Sequence, residues 1–590
     1  MHGTAAHGSA RPLTTTFEQA DFPVTFAGTV GLYHVAPQPS DTAVLFVGAW
    51  GLEELCARKF WRLLAADLGR AGISSLRFDY PGTGDALDPQ DYSAGLDIWR
   101  ESILAAAAVL RDLSGAKRLL LVGHSIGAAL AWQAAETLRD VAGIALAAPA
   151  LSGRRWIREF MALSRIADHG AITHVTLPSG PAMGEQHIPD PVLAGIRALD
   201  VSKSAKAPAP DMLFLPQEGR ATDPVLLERL VSLGAKVRET SFEDYDAFIR
   251  DVLLSVPPTT AIGVLAEWAV GLKGDGTAEQ RPRPSGTAPL TGDGFRETPV
   301  RFGRGQRLYG ALCEPEGPPK GAAVIILSTG YDRMSGRGRI GVRICRDLAK
   351  AGIPAFRFDF SNIADSPPQP GMPDQILYHP GLERDVGEAA DFLEAHGLHP
   401  AVLSGRCSGG YTAFRSALHM DGVKAIVAVN PFDFSVGPGA DVDALIASVL
   451  PFGSYKEKFR NKAYWKQVLR LEIDILKEAR HLLRKVSDKM MIKALPLLAH
   501  IPPLSRFLNP SERDFDRLAE KGTKISLIYS NGDPVISNLE ARLGKRGHLI
   551  ARYGNAGIVF LDDADHNFST AHTRGYWLDA LVKTASQFKV

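Results

Sequence analysis

Short apolar runs alternate with stretches whose apolar residues recur at helical spacing along most of the chain. In the first half the runs "AVLFVG", "ISSLRFDY", "RLLLVG", "GIALAA" and "MLFLP" are typical of buried strands, and "RKFWRLLAADLGRAG" is typical of a crossover helix ended by Gly72. The second half repeats the alternation with "AAVIILS", "IPAFRFDF", "PAVLSG", "AIVAVN", "KISLIYS" and "GIVFLD". This alternation predicts an α/β fold in which a mainly parallel sheet has helices on both faces.

Segments of the two halves also match each other in the same order. "PVTFAGTVGLYHVAP" parallels "PVRFGRGQRLYGALCEP", "AGISSLRFDYPGTGDA" parallels "AGIPAFRFDFSNIADS", and "LLLVGHSIGAALA" parallels "AVLSGRCSGGYTA". The separation between matched positions drifts only from 276 to 282 residues. Two copies of one fold, fused in tandem, are the simplest interpretation.

The boundaries of the two copies follow from composition. The range 273–295 is rich in Gly, Pro and Thr and predicts a linker. We therefore expect a disordered N-terminus at 1–16, a first domain at 17–272 and a second domain at 296–590.

Each copy also carries an insert before its last strands. The second insert, about 434–515, has apolar residues at helical spacing and a strongly basic polar face. It predicts a helical lid over a pocket or core. A docking face for an acidic carrier protein or a membrane surface is the alternative.

Length, charge and cysteine content narrow the class of protein. A chain of 590 residues suits two domains, and a net charge of +1 gives no indication of a nucleic-acid partner. The four cysteines are scattered, which argues against disulfides and metal sites and for a reducing compartment. The start of the chain lacks the apolar segment of a signal peptide, and no apolar run is long enough to span a bilayer. We expect a cytoplasmic protein without a cofactor.

Two pentapeptides have the outline of a nucleophile elbow, in which a strand turns sharply into a helix. They are "GHSIG" around Ser125 and "GRCSG" around Cys407, and each follows a predicted strand and precedes a predicted helix. The glycines are needed because the nucleophile takes a strained backbone conformation that leaves no room for neighbouring side chains. Ser125 and Cys407 are therefore candidate nucleophiles.

The strands, the elbows and the repeat together resemble the α/β-hydrolase family over nearly the whole chain outside the N-terminus and the linker. More loosely, "PGTGDA", "DIWRESI" and "AYWKQVLRLEID" resemble hydrolases associated with exopolysaccharide and exosortase gene clusters, which implies polysaccharide or lipid-linked metabolism. Dienelactone hydrolases and polyhydroxyalkanoate synthases also carry a G-x-C-x-G elbow, so a thiol nucleophile has precedent. The family order places an acid after a later strand and a histidine near the end.

The second copy fulfils that order. Asp533 in "NGDP" follows the strand "KISLIYS", and His566 in "DADHNFS" follows "GIVFLD". We predict that Cys407 is the nucleophile, His566 the general base and Asp533 the orienting acid. His548 and Asp565 are the alternative base and acid.

An oxyanion hole is expected beside the second elbow. The backbone N–H of Ser408 and one from the loop after the first buried strand, around Gly330-Tyr331, would hold the developing charge. Arginines of the same loop could bind a phosphate or carboxylate near the site, and solvated side chains are the more common alternative for such loops. They are Arg333, Arg337 and Arg339.

The first copy departs from the family pattern. Asp223 in "GRATDP" can serve as an acid for Ser125, but no histidine follows it in that domain, and Asp246 or Leu253 stands near where a base would be sought. His124 is expected to shape the elbow. A serine without a base is a poor nucleophile, so we expect a degenerate first domain. Insert histidines could supply a base only by folding over the pocket: His169, His174 and His187.

Three functional hypotheses follow. The first is an acyl hydrolase or acyltransferase that forms acyl-Cys407 from an ester or thioester, linked to CoA or a carrier protein, and passes the acyl group to water, an alcohol or an amine. The second is a Ser125-dependent esterase with a borrowed histidine. The third is a non-catalytic carrier-docking or assembly factor that uses the basic insert. We rank the first highest because only the second copy has a complete set of nucleophile, base and acid.

Overall fold

The computed structural model of the protein describes residues 21–169, 181–183, 186–250, 252–279, 286–436 and 510–588. The N-terminus expected to be disordered, and all but the two ends of the expected lid at 434–515, lie outside the described residues. In the part of the chain that is described, no helix is both long and apolar enough to cross a membrane.

The first half of the described chain is built on an eight-stranded sheet and one small hairpin. Its strands are β1 (Asp21–Phe26), β2 (Thr29–His34), β3 (Thr42–Val47), β4 (Ser74–Phe78), β5 (Arg118–His124), β6 (Val141–Ala147), β7 (Ala182–Met183), β8 (Gln186–His187), β9 (Asp211–Leu215) and β10 (Lys236–Glu239). The large sheet has the order β1-β2-β4-β3-β5-β6-β9-β10, and β7 pairs with β8 alone. From β4 to β10 neighbouring strands are parallel.

Helices cover both faces of this sheet, and for that reason β3 is buried at all six of its residues. The helices are α1 (Leu52–Arg70), α2 (Asp97–Ser114), α3 (Ile126–Thr137), α4 (Gly153–His169), α5 (Asp190–Ala198), α6 (Pro224–Ser232), α7 (Tyr245–Phe248) and α8 (Thr259–Gly271). The predicted crossover helix is α1. The chain leaves it through Gly72, whose φ of +84° lies in the left-handed region that favours glycine.

The second half is built on a nine-stranded sheet. Its strands are β11 (Leu290–Gly292), β12 (Phe295–Phe302), β13 (Leu308–Pro315), β14 (Val324–Leu327), β15 (Ala355–Asp359), β16 (Val402–Arg406), β17 (Ala425–Val429), β18 (Lys524–Ser530) and β19 (Ala556–Leu561). The order is β11-β12-β13-β15-β14-β16-β17-β18-β19, so after the extra edge strand β11 it repeats the connectivity of the first sheet. The predicted α/β fold, with mainly parallel sheets flanked by helices, is confirmed.

The helices of the second half occupy corresponding places along the chain. They are α9 (Ile340–Lys350), α10 (Gly381–Ala395), α11 (Ser408–His419), α12 (Pro510–Glu520), α13 (Ile536–Leu543) and α14 (Ala571–Ala585). The helix α11 follows β16 directly, as α3 follows β5, and these two junctions carry the elbows.

The range 273–295, expected to be a linker, is partly structured. Thr277 forms a β-bridge with Ser40, and the N–H of Ala278 donates to the carbonyl of Pro39 at 3.0 Å. Strand β11 begins at Leu290, inside the expected linker. Low apolar content removes a segment from the core, but its backbone groups can still pair with a neighbouring edge. The second sheet therefore starts earlier than the composition predicts.

Charged side chains join the two halves in a reciprocal way. Arg77 and Arg357 hold matched positions in the repeat, and both are almost fully buried. Arg77 Nε donates to Asp365 of the second half at 2.7 Å, and Arg357 donates to Asp85 of the first half at 2.9 Å. Buried pairs of this kind depend strongly on geometry, since each charge has left water. They therefore restrict how the halves can be oriented.

Candidate active site

The Cys407 elbow has the backbone that its glycines predict. Cys407 lies between β16 and α11 with φ of 51° and ψ of −118°. A Cβ atom on Gly405 would lie 2.5 Å from the carbonyl carbon of Gly409, and one on Gly409 would lie 2.6 Å from the carbonyl oxygen of Leu327. Neither position has room for a side chain. Cys407 is partly exposed, whereas the other three cysteines are buried.

His566 and Asp533 come together beside this elbow from two separate loops. Asp533 follows β18 and His566 follows β19, so the parallel register of the two strands brings both to the same edge of the sheet. His566 Nδ1 lies 2.7 Å from Asp533 Oδ2, and Cys407 is close enough to act on the pKa of the same histidine. The carboxylate of Asp533 is buried, whereas the imidazole is 23% exposed.

The charges around His566 favour its protonated form. Burial alone would lower the pKa of His566, but the carboxylate of Asp533 and the thiol group of Cys407 outweigh it and raise the pKa to about 10. An imidazolium held between two acidic groups is the arrangement that stabilises a neighbouring thiolate. The site can therefore activate a sulfur nucleophile.

The alternative base and acid have other surroundings. His548 is exposed on a short helical segment, Lys545–Arg552. Asp565 accepts hydrogen bonds from the N–H and the hydroxyl of Ser569, both at 2.7 Å, and so stabilises the turn before α14. Asp533 has the carboxylate that faces the imidazole of His566.

The loop expected to complete an oxyanion hole is tied to the elbow. The N–H of Gly330 donates to Ser408 Oγ at 2.6 Å, and Thr329 Oγ1 donates to the carbonyl of Arg406 at 2.8 Å. The hydroxyl of Tyr331 accepts from the N–H of Ile376 at 3.1 Å. Since the Gly330 amide has the Ser408 side chain as its partner, the backbone amides of Ser408 and Tyr331 stay the predicted oxyanion donors.

Asn430, at the end of β17, is a buried residue that the sequence reasoning missed. Its Nδ2 donates to the carbonyl of His566 at 3.1 Å and to Ser530 Oγ at 2.8 Å, while its Oδ1 accepts from the N–H of Ser530 at 2.7 Å. The matched position in the first half is Ala148. A polar residue that ends the apolar run "AIVAVN", where the first copy has "GIALAA", was the signal available in the sequence.

We expect Asn430→Ala to loosen the histidine loop. The change removes three hydrogen bonds to buried groups, which should lower the free energy of unfolding by about 1–3 kcal/mol. Misplacement of His566 should slow acylation of Cys407 about tenfold. Urea unfolding and the rate of adduct formation check the two effects. Asn538→Ala, which removes a 3.0 Å hydrogen bond from Asn538 Nδ2 to the carbonyl of Phe432, is the matched control and should leave acylation unchanged.

The Ser125 elbow has the same backbone but a different environment. Ser125 has φ of 54° and ψ of −121°, and it is buried. Its Oγ donates to Glu53 Oε2 at 2.6 Å and accepts from Trp156 Nε1 at 3.1 Å, and the hydroxyl of Tyr245 donates to Glu53 Oε1 at 3.0 Å. Burial raises the pKa of Glu53, although these three donors oppose it. The serine is enclosed by protein groups.

The residues considered as acid or base for Ser125 have other surroundings in the structure. Asp223 is exposed and accepts from the N–H of Val225 at 3.0 Å, so it caps α6. Asp246 is exposed as well. His124 is buried beside Tyr245, and burial lowers its pKa to about 3, which keeps it neutral.

The insert histidines give little to this elbow in the described part of the chain. His187 is half-buried in β8. The side chain of His169 and the whole of His174 lie outside the described residues. Glu53, which the sequence reasoning missed, is the group that Ser125 contacts.

Two of the three loop arginines considered as possible anion-binding groups contact the first half of the protein. Arg333 donates to both carboxylate oxygens of Asp79, at 3.0 and 3.1 Å. Arg339 donates to the carbonyls of Gly82 at 3.1 Å and Gly84 at 2.9 Å. Arg337 is half-buried. Within the described ranges, no group of three His, Cys, Asp or Glu side chains is arranged to hold a metal ion.

An α/β fold with a strand-elbow-helix junction at each candidate nucleophile is what the resemblance to α/β hydrolases implies. A comparison with family models agrees with that resemblance. Residues 43–310 match the Alpha/beta hydrolase family, and this part of the chain includes the Ser125 elbow. Proteins of this family are usually hydrolytic enzymes, esterases and peptidases among them. No curated protein matches the chain.

Several solved structures are similar to parts of the chain. Proline iminopeptidase from Mycobacterium smegmatis has 14% identity over 43% of this chain and 98% of its own, with a TM-score of 0.31. Est1E from Butyrivibrio proteoclasticus, with bound ferulic acid, has 13% identity over 42% of this chain and 98% of its own, with a TM-score of 0.30. A putative dienelactone hydrolase from Klebsiella pneumoniae has 14% identity over 50% of this chain and 100% of its own, with a TM-score of 0.31.

Proposed function

We propose that the protein is an acyl hydrolase or acyltransferase that works through an acyl-Cys407 intermediate in its second half. The observation that carries the proposal is the 2.7 Å contact between His566 Nδ1 and Asp533 Oδ2, at the edge of the sheet where the Cys407 elbow lies. Nucleophile, base and orienting acid then have the mutual arrangement that covalent acyl transfer requires.

The proposed reaction has two steps. With the proton of the Cys407 thiol already held on His566, the thiolate attacks the acyl carbonyl, and the backbone donors near Ser408 stabilise the oxyanion. Collapse of the tetrahedral species breaks the bond to the leaving group, which receives the proton from His566, and leaves a thioester on the enzyme. His566 then deprotonates water, an alcohol or an amine, and attack of that acceptor restores the Cys407 thiol.

The substrate class follows from this chemistry. An ester or a thioester carries the electrophilic carbonyl that a thiolate attacks, and a CoA or carrier-protein thioester is the activated form we favour for transfer. The two sheets with one strand order support the view that the chain holds two copies of the hydrolase fold. The exopolysaccharide association stays a prediction from the sequence.

The first copy is proposed to be non-catalytic. In support, Ser125 is buried, and its hydroxyl has Glu53 and Trp156 as partners. A carboxylate at this distance could accept a proton, but the serine that would attack an acyl substrate is buried. The basic insert, on which a purely carrier-docking role would depend, lies mostly outside the described residues.

Exposure of the intact protein to p-nitrophenyl esters and acyl-CoA thioesters tests the proposal. We expect a mass increase of one acyl group, which peptide mapping locates on Cys407. Loss of the group in water alone would identify a hydrolase, and loss only with an added alcohol or amine a transferase. A protein that gains no acyl group from any ester or thioester of short or medium chain length contradicts the proposal.

A further inference from the structure

The loop between β14 and α9, residues 328–339, is attached at its start to the Cys407 elbow. Thr329 Oγ1 donates to the carbonyl of Arg406, and the N–H of Gly330 donates to Ser408 Oγ. The predicted oxyanion donor at Tyr331 therefore depends on how this loop is held. Below it is called the oxyanion loop.

The middle of the oxyanion loop is held by the other half of the protein. Arg333 is 3% exposed and reaches across to the turn after β4. Its two terminal nitrogens donate to Asp79 at 3.0 and 3.1 Å, and the second of them also donates to Asp85 at 2.9 Å. A guanidinium that forms two parallel bonds to one carboxylate is fixed in angle as well as in distance.

The charges at this contact depend on one another. Burial alone would raise the pKa of Asp79, but Arg333 and Arg58 outweigh it and lower the pKa. Asp79 is therefore an anion at neutral pH, and it stays paired as long as the arginines remain. The side chains of Asp79, Arg58 and Arg333 are all buried, so this contact is part of the folded core between the halves.

A second contact from the first half reaches the oxyanion loop next to Cys407. Gly330 has φ of +57°, and a Cβ atom there would lie 2.5 Å from Leu253 Cδ2. Leu253 belongs to the first half, in the segment where a base for Ser125 was sought. The side chain of Leu253 thus occupies the space beside Gly330 and limits how far the loop can move toward the first half.

We propose that the first half is a positioning domain for the active site of the second half. Asp79 and Asp85 hold Arg333, and Leu253 supports Gly330, so that the amide at Tyr331 faces the acyl oxygen on Cys407. None of the first-half residues touches the substrate, and each acts through the loop. The inference rests on the proposed acyl-Cys407 chemistry. It gives the first half, in which Ser125 is buried, a role in that chemistry.

The physical advantage is preorganisation. An oxyanion donor lowers the barrier only if it already points at the position where negative charge develops, and small displacements remove much of that effect. A loop held at its start by the elbow and at its middle by the first half keeps its amides in place without help from the substrate. Alkylation of a thiolate by iodoacetamide needs no oxyanion donor, so the two reactions separate positioning from thiol activation.

The test compares these two reactions in the full-length protein. Arg333→Met leaves Asp79 paired with Arg58 and Asp85 paired with Arg357, so the fold should persist. We expect acylation of Cys407 by p-nitrophenyl acetate to slow by about 10- to 100-fold. Alkylation of Cys407 by iodoacetamide should stay within about twofold of the wild type, because the Cys407–His566 pair is untouched. Arg333→Lys keeps the positive charge but loses the two parallel hydrogen bonds to Asp79. It should therefore slow acylation less than Arg333→Met does.

The matched control is Arg346→Met, on α9 beyond the loop. Arg346 also crosses between the halves, donating to the carbonyls of Asp85 at 2.8 Å and Ala86 at 3.1 Å, and it also pairs with Glu297. We expect this variant to acylate at the wild-type rate, even if its melting temperature falls as far as that of Arg333→Met.

Each outcome decides the proposal. If the wild type acylates and both Arg333 variants acylate as fast, the positioning role is overturned while the acyl-Cys407 function stands. If alkylation falls in parallel with acylation, or if Arg346→Met loses as much acylation, the contact is merely structural and the proposal is also overturned. If the wild type gains no acyl group while iodoacetamide still labels Cys407, it is the proposed function that fails.

Discussion

Replacement of Cys407 by alanine should abolish the acyl adduct, whereas Ser125→Ala should leave its rate of formation within about twofold of the wild type. The thiol is the partly exposed nucleophile beside His566, while the serine hydroxyl is buried against Glu53 and Trp156. Loss of the Ser125 hydroxyl removes one buried hydrogen-bond partner, which should cost about 1–3 kcal/mol of stability. Intact-mass time courses with p-nitrophenyl acetate measure the adduct in each variant.

Cys345→Ala is the control for loss of a thiol elsewhere. Cys345 is fully buried on α9, and burial raises the pKa of its thiol to about 12, so it should not be acylated. An adduct that survives in Cys407→Ala and disappears in Ser125→Ala would reverse the assignment. The active site would then lie in the first half, with Glu53 as the base for the serine.

The two elbows could be predicted because their cause is local. A nucleophile between a strand and a helix needs positive φ, and its neighbours need to be glycine for steric reasons that depend on a few adjacent residues. Cys407 and Ser125 have φ of 51° and 54°, nearly the same backbone. The mainly parallel sheets were also predictable, since apolar strands that alternate with helices imply parallel strands covered on both faces.

The contents of the first site could not be predicted, because they depend on distant parts of the chain. Glu53, Ser125 and Trp156 lie on three different elements and meet only when the sheet has formed. The family order places the base after the acid, beyond Asp223, and the insert offers only borrowed histidines. The carboxylate that Ser125 contacts belongs to Glu53 at the start of α1. That position precedes the nucleophile, whereas the family order places acid and base after it.

The arginines of the oxyanion loop show a second limit of the sequence. A loop arginine has the same appearance whether a substrate anion, water or a neighbouring domain supplies its partner. For Arg333 the partner is neither a substrate anion nor water but the carboxylate of Asp79. The repeat itself contains a signal for this contact between the halves. "RFDYPGTGD" and "RFDFSNIAD" place an arginine and two aspartates at the same spacing in both copies.

That spacing has a geometric consequence. Arg77 pairs with Asp365, and Arg357 pairs with Asp85, so matched residues exchange partners across the contact between the halves. This exchange is what an isologous, two-fold interface produces when the same surface meets itself. Arg333 has no arginine counterpart in the first half, since the position matched to it is Glu53. The arginine–aspartate pairs of the contact are therefore matched between the halves, whereas the residues beside the two elbows differ.

His566→Gln should slow acylation of Cys407 by about 10²- to 10⁴-fold, the usual range for loss of a general base. The imidazole that Asp533 orients beside Cys407 would be gone, and with it the proposed proton acceptor for the thiol. Rapid-quench mass spectrometry of the adduct measures the rate. His548→Gln, on the exposed segment Lys545–Arg552, is the control and should acylate like the wild type. Equal rates for the two variants would remove His566 from the mechanism.

The same variant has a readout that is independent of turnover. The pKa of His566 is raised to about 10 in the folded protein, against about 6.5 in an unfolded chain, so the folded state holds this proton more tightly. Its contribution to stability is therefore complete below about pH 6.5 and is lost as the pH rises through about 10. The Tm difference between the wild type and His566→Gln should shrink across that window. In an Asp533→Asn background the shrinkage should largely vanish, because the carboxylate is the main group that raises the pKa. A Tm difference that stays constant from pH 6 to pH 10 would mean that His566 does not hold its proton between Asp533 and Cys407.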